Sequence, residues 1–199
     1  MSDMQYLELL DDEITPQLLK IVGEARQHIT LVSPYIDLWG HLQSAVQRAV
    51  QKDVKVTVLL RQDGEKVGGD GVKAKDSVSW LVENGVAVYS LENLHAKVYL
   101  NEHSLLISSM NLTESSTTNS HELALLISGP QAAPRIREYV QRRLLELASP
   151  FLLTRRGPPP VAVREPKAVY TAVTRGACIR CGQPVTLDPA KPLCDGCYA

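Results

Sequence analysis

Two periodicities alternate along the first half of the chain, and that alternation fixes the fold class. Residues 29–33 (ITLVS), 54–60 (VKVTVLL) and 86–89 (VAVY) are short runs rich in β-branched side chains, the composition of strands. Between them apolar residues recur at helical spacing: Leu18, Leu19, Ile21, Val22 and Ala25, then Leu38, Leu42, Ala45, Val46 and Ala49, then Val78, Trp80, Leu81 and Val82. Strands alternating with helices predict an α/β fold, a mixed sheet with helices on both faces. Thr15 is the expected N-cap of the first helix, with Pro16 at its first position, and Asp37 that of the second. Residues 6–10 (YLELL) read as an edge strand. The stretch 61–71 holds Gly64, Gly68, Gly69 and Gly71 but has neither dinucleotide-binding nor Walker spacing, so it reads as a flexible surface loop at the rim of a cleft.

The chemistry concentrates between Leu94 and Glu122. Leu94, Ala96, Val98 and Leu100 alternate with His95, Lys97 and Tyr99, a period of two that puts His95 and Lys97 on one face of a strand. Residues 101–104 (NEHS) have turn chemistry, and 105–107 (LLI) suit a buried return strand ending near Asn111. A His, a Lys and an Asn on one spot supply a nucleophile or base, a fixed positive charge and an amide donor. That set suits a phosphoryl group, whose oxygens need neutralisation and hydrogen bonds in the transition state.

Together these residues resemble the HKD motif of the phospholipase D superfamily. The motif stands here as His95-Ala96-Lys97, then Glu102, then Ser108-Ser109-Met110-Asn111, with Asn119 and Glu122 matching a downstream Asn-x-x-Glu. Glu102 occupies the usual Asp position, Ser108 replaces the common Gly, and the spacing from Lys97 to Asn111 is about one residue short, in line with a tighter turn. The resemblance spans roughly residues 5 to 150. It implies a phospholipase D-like fold and a phosphodiesterase that needs no catalytic metal. In it His95 attacks phosphorus, Glu122 orients the ring, Lys97 and Asn111 hold the phosphoryl oxygens, Ser109 and Asn119 contact substrate, and Glu102 is structural. One motif per chain implies a homodimer that shares one active site, because a second His must protonate the leaving oxygen.

Composition bounds the partners. The chain has 199 residues, enough for one domain and a small appendage, and a net charge of −1, which gives no electrostatic argument for a polyanion or a membrane. The N-terminal stretch is acidic and lacks the basic and apolar regions of a signal peptide. No run approaches the roughly 18 apolar residues of a membrane span, and a cytoplasmic location is expected.

After Glu122, residues 123–127 (LALLI) read as a strand, and Pro134 opens a last helix in which Ile136, Tyr139, Val140, Leu144 and Leu147 recur at helical spacing. Arg135, Arg137, Arg142 and Arg143 give it a basic, solvated face. Domain boundaries are expected at 1–150 for the catalytic domain, 151–174 for a Pro/Arg-rich linker and 175–199 for a zinc ribbon. All four cysteines, Cys178, Cys181, Cys194 and Cys197, form two C-x-x-C pairs about a dozen residues apart. Four thiolates at that spacing close a tetrahedron around one structural Zn2+ and leave no position for catalysis. The ribbon and the basic helix favour a nucleic-acid substrate, hence a nuclease. A phospholipase D-type lipid hydrolase and a non-catalytic nucleic-acid-binding or scaffold protein are the alternatives.

Overall fold

The computed structural model describes residues 6–118, 120–129, 132–151, 175–178, 181, 183–186 and 197. Its contacts divide the chain into two units, 1–154 and 155–199. Asn119, Cys194 and residues 152–174 of the expected linker lie outside the described residues.

The first unit is built on a nine-stranded mixed sheet. In chain order its strands are β1 (Tyr6–Leu10), β2 (His28–Ser33), β4 (Lys55–Asp63), β5 (Lys66–Val67), β6 (Ala87–Glu92), β7 (Val98–Asn101), β8 (Ser104–Ser108), β10 (Ala124–Ser128) and β11 (Ser149–Pro150). Two further strands, β3 (Ile36–Asp37) and β9 (Leu112–Thr113), pair with each other. The spatial order is β1-β10-β8-β7-β2-β4-β6-β11, with β5 folded back on β4. β2, β4 and β6 are parallel, whereas β7, β8, β10 and β1 are joined antiparallel. The parallel strands belong to the β-branched runs, which need cover on both faces.

Three helices supply that cover on one face. They are α1 (Ile14–Glu24), α2 (Gly40–Gln51) and α3 (Val72–Glu83), and their Leu18, Ile21, Leu42, Val46, Val78 and Leu81 pack on Ile29, Leu31, Val58, Leu60 and Leu106. The opposite face is covered by the helix Pro134–Tyr139, continued by a π turn over Val140–Leu144 and a 3-10 turn over Leu145–Leu147. Val140 and Leu144 close a second core over Val32, Leu59, Leu100, Leu105 and Ile127. The expected mixed sheet with helices on both faces is therefore present. The cover is unequal: on the face of Ile127, the edge residues Leu7, Leu9 and Leu123 stay 63%, 67% and 53% exposed.

Several local expectations change. α1 begins at Ile14, so Thr15 lies inside the first turn, and its Oγ1 contacts Met110 Sδ at 3.7 Å rather than capping. Pro16 is tolerated there because first-turn amides have no helical acceptor. Asp37 belongs to β3 and pairs with Lys73 on α3 at 3.3 Å instead of capping α2. The glycine-rich stretch is a built turn: Gly68 N donates to Arg61 O at 2.9 Å, and Gly68 O accepts from Ile36 N at 2.9 Å. The basic face of the last helix loses Arg137. It is half-buried and donates to the carbonyls of Ala132 and Asn101, each at 2.6 Å, and of Ser104 at 3.3 Å. The carbonyls of Asn101 and Ser104 flank the β7–β8 turn and that of Ala132 precedes the helix, and one guanidinium fork satisfies all three.

Candidate active site

The strand directions bring one end of the sheet together. β2, β4 and β8 finish there, while β7 and β10 start there. In open α/β sheets ligands bind at such carboxyl ends. Asn93, in the left-handed conformation at φ 57, turns the chain into Leu94-His95-Ala96-Lys97, which leads into β7 at Val98, so the strand expected from Leu94 begins four residues later. Ser108 N donates to Lys97 O at 3.1 Å, so pairing with β8 continues one residue before Val98 and holds the Lys97 backbone in place.

His95 and Lys97 do stand side by side. Lys97 Nζ lies 3.4 Å from His95 Nδ1 and donates to His95 O at 3.0 Å. Burial pulls the Lys97 ammonium below its ordinary range, and the Glu122 carboxylate opposes that pull. His95 is exposed at the sheet end, while Lys97, Asn111 and Glu122 are half-buried.

Asn111 follows β8 and brings its amide to this end of the sheet. Its Oδ1 is buried and has no hydrogen-bond partner among the described residues. Buried polar atoms are rarely left so; this one is an acceptor and needs a donor, whereas a phosphoryl oxygen would be met by the Nδ2 donors of the same amide. Ser109 Oγ donates to Glu122 Oε2 and accepts from Leu123 N at 3.0 Å. Among the described residues, the Glu122 side chain thus bonds Ser109 and not His95. Ser108, in place of the common Gly, accepts from Met110 N through its Oγ at 2.9 Å and steadies the bend before Asn111.

Glu102 is placed at the other end of β7, seven residues from His95, about 20 Å by strand rise. Its Oε1 accepts from Arg26 N at 2.5 Å, where the chain enters β2. Burial pushes this carboxyl up, but the backbone amides of Glu102, Arg26, His28 and Gln27 together hold it below its ordinary value. The acidic position therefore fastens the turn to β2, and the extra methylene of Glu gives the reach. Beside the His95 end of the sheet, a cleft of about 210 Å3 is lined by Asp11, Asp12, Thr15, Thr117, Ser120 and Glu122. No local pattern signals it, because Asp11 and Asp12 precede α1 and meet Glu122 only through the β1–β10 pairing.

The family described as cardiolipin synthase, PLD-like domain, matches residues 18–144, more than half of the chain. The chain belongs to the phospholipase D-like family. Among solved structures, this phospholipase D-like chain is similar to the phospholipase D family member Nuc from Salmonella typhimurium, with 18% identity and a TM-score of 0.63, covering 74% of this chain and 99% of that one. NucT from Helicobacter pylori gives 14% identity and a TM-score of 0.63, covering 74% and 100%. Phosphatidylserine synthase from Haemophilus influenzae gives 13% and 0.60, covering 76% and 41%. At these identities the likeness shows the fold, that of the phospholipase D phosphodiesterases. Comparison with the curated proteins finds no match.

In the second unit, β12 (Arg175–Ala177) and β13 (Pro184–Thr186) form a hairpin, and Cys178 N donates to Gln183 O at 2.7 Å. The thiols of Cys178, Cys181 and Cys197 lie within 4.8 Å of one another. Tetrahedral thiolates on zinc sit about 3.8 Å apart, from Zn–S bonds of about 2.3 Å, so the donor set fits that ion. No helix among the described residues is long and apolar enough to cross a membrane.

Proposed function

We propose that this phospholipase D-like protein is a metal-independent phosphodiesterase, acting as a nuclease through a phosphohistidine intermediate. The observation that carries this reading is the pairing of His95 and Lys97, 3.4 Å apart, at the sheet end where Asn111 leaves β8. His95 attacks phosphorus, and the bond to the leaving alcohol breaks as a second histidine protonates its oxygen. Water, deprotonated by that same histidine, then attacks phosphorus and releases His95. Lys97 and Asn111 stabilise the equatorial oxygens, and Ser109 ties Glu122 into the site. Asn119 is assigned to substrate contact from the motif alone. Cys178, Cys181, Cys194 and Cys197 are assigned to one structural Zn2+ in a ribbon over 175–199, with 1–150 as the catalytic domain and 151–174 as the linker.

The second histidine comes from a second copy in this reading. His28 and His103 lie at the far end of the sheet, His41 is on the first turn of α2, and His121 is exposed beside Glu122. The uncovered Leu7, Leu9 and Leu123 run to Glu122 and suit burial against that copy. One observation favours the lipid-hydrolase alternative: the acidic, hydroxyl-lined cleft beside Glu122 repels a polyanion and suits a cationic headgroup.

The deciding experiment is incubation of the purified full chain with labelled DNA, RNA and phosphatidylcholine in EDTA, with His95→Ala as control. Cleavage of nucleic acid that disappears in His95→Ala supports the nuclease. Turnover of phosphatidylcholine alone supports the lipid reading, and turnover unchanged in His95→Ala refutes both. Full activity from a monomer places the second histidine within the chain, with His121→Ala as the check.

A further inference from the structure

The strand ending at Ser33 and the core residue Tyr99 have no role in the motif, yet both close on the same peptide segment. Tyr99 is completely buried, two residues after Lys97 and on the same face of β7. Its hydroxyl donates to Met110 O at 2.5 Å. Ser33, also completely buried, accepts from Leu112 N at 3.1 Å through its Oγ and donates to Tyr35 O at 2.8 Å. Met110 and Leu112 are the two neighbours of Asn111, so the carbonyl before it and the amide after it are each tied to a buried hydroxyl. The pairing of Ile36 with Leu112 adds a third restraint on the same side.

An apolar residue at either position would fill the same core. A buried hydroxyl costs free energy unless it is hydrogen-bonded, and both of these bond the backbone flanking Asn111: Tyr99 donates to the carbonyl before it, and Ser33 accepts from the amide after it while donating to Tyr35 O. Burial raises the Tyr99 phenol far above its ordinary value; Ser33 opposes this and the Glu122 carboxylate adds to it. The O–H therefore stays a donor across the pH range of the folded protein.

We propose that Ser33 and Tyr99 are positioning residues that hold the Asn111 amide at the phosphoryl oxygens. This rests on the phosphodiesterase reading above. The restraint matters because an amide displaced by about 1 Å loses most of its preferential hold on the transition state.

The test is a double-mutant cycle on the full chain, with hydrolysis of bis-p-nitrophenyl phosphate as the readout. Tyr99→Phe and Ser33→Ala are each combined with Asn111→Ala, and urea unfolding confirms that every variant is folded at the assay temperature. Each single variant is expected to lower kcat/KM about tenfold, mainly through kcat, and to have less than a twofold effect once Asn111 is Ala. Ser33→Thr, which keeps the hydroxyl, is expected to recover most of the activity lost in Ser33→Ala. Losses of equal size in both backgrounds, or a Ser33→Ala variant with unchanged kcat, overturn the positioning role while leaving the phosphodiesterase reading intact. No turnover by the unmodified protein overturns that reading and this inference with it.

Discussion

Gly68 is the residue whose replacement is most informative about how the loops over the site are held. It has φ +72, and a Cβ there would lie 2.7 Å from Ile36 Cγ2 and 3.0 Å from Leu60 Cδ1. Ile36 and Leu60 are 2% and 0% exposed, so neither can swing into solvent. Gly68→Ala therefore carries two costs: about 1 kcal/mol for a left-handed alanine and about 1–3 kcal/mol for overpacking. Gly64 is the internal control, because it has φ +61 and nothing within 4 Å of its Cβ position. Gly64→Ala should cost only the backbone part, about 1 kcal/mol. Urea titrations of the two variants should thus differ by about 1–3 kcal/mol, on the order of a 1 M gap in midpoint. Because Ile36 pairs with Leu112, Gly68→Ala should also lower kcat on a small phosphodiester, and Gly64→Ala should not. Equal stabilities within about 0.5 kcal/mol would show that the loop yields freely and would refute the reasoning.

Further outcomes follow from the same structure. Lys97 is pulled below its ordinary 10.5, so activity that needs its charge should fall as pH rises through that lowered value; in Lys97→Arg the alkaline limb of the kcat/KM profile should move out of range. Glu102 is held below its ordinary 4.5 in the folded chain, so its contribution to stability is present above 4.5 and lost as pH falls through the folded value. Acid titration of unfolding in Glu102→Gln should lack that loss and start about 1–3 kcal/mol lower at neutral pH. Arg137→Met should cost about 1–3 kcal/mol by urea unfolding, since three backbone carbonyls lose their donor. Cys178→Ser should lower the zinc bound per chain, read by elemental analysis, while small-substrate turnover in EDTA stays unchanged.

Most of the architecture was legible because each element carried its own period. The alternation at 94–100 put His95 and Lys97 on one face, and the structure has them 3.4 Å apart. What stayed hidden was what depends on which strands become neighbours. Nothing local in Ser33 or Tyr99 shows that both reach the residues beside Asn111, because β2 joins β7 across about 65 residues of chain. Arg137 read as solvated because helical spacing alternates faces but cannot show carbonyls waiting at the β7–β8 turn. The glycine-rich stretch read as loose for a similar reason: its partner, Ile36, comes before β4 in the chain. Thr15 and Asp37 have capping chemistry, but β1 and β3 place the helix starts elsewhere.

The pairing of the first strand has a consequence in time. β1 finds its partner only in β10, with Leu10 opposite Ala124 and Tyr6 opposite Ser128. A ribosome adding about 5–20 residues per second needs on the order of ten seconds to span that gap. For that interval Tyr6, Leu7 and Leu9 emerge on an unpaired strand with no sheet to join, the kind of edge that recruits other chains. The sheet end that carries His95, Asn111 and Glu122 is assembled equally late, since all three precede the residues that lock β10 in register. Premature termination before Ser128 would therefore yield a sticky product with no function. Slowing translation across 6–124 should lower the recovered yield more than slowing it after β10, and co-expressed holdases should restore it.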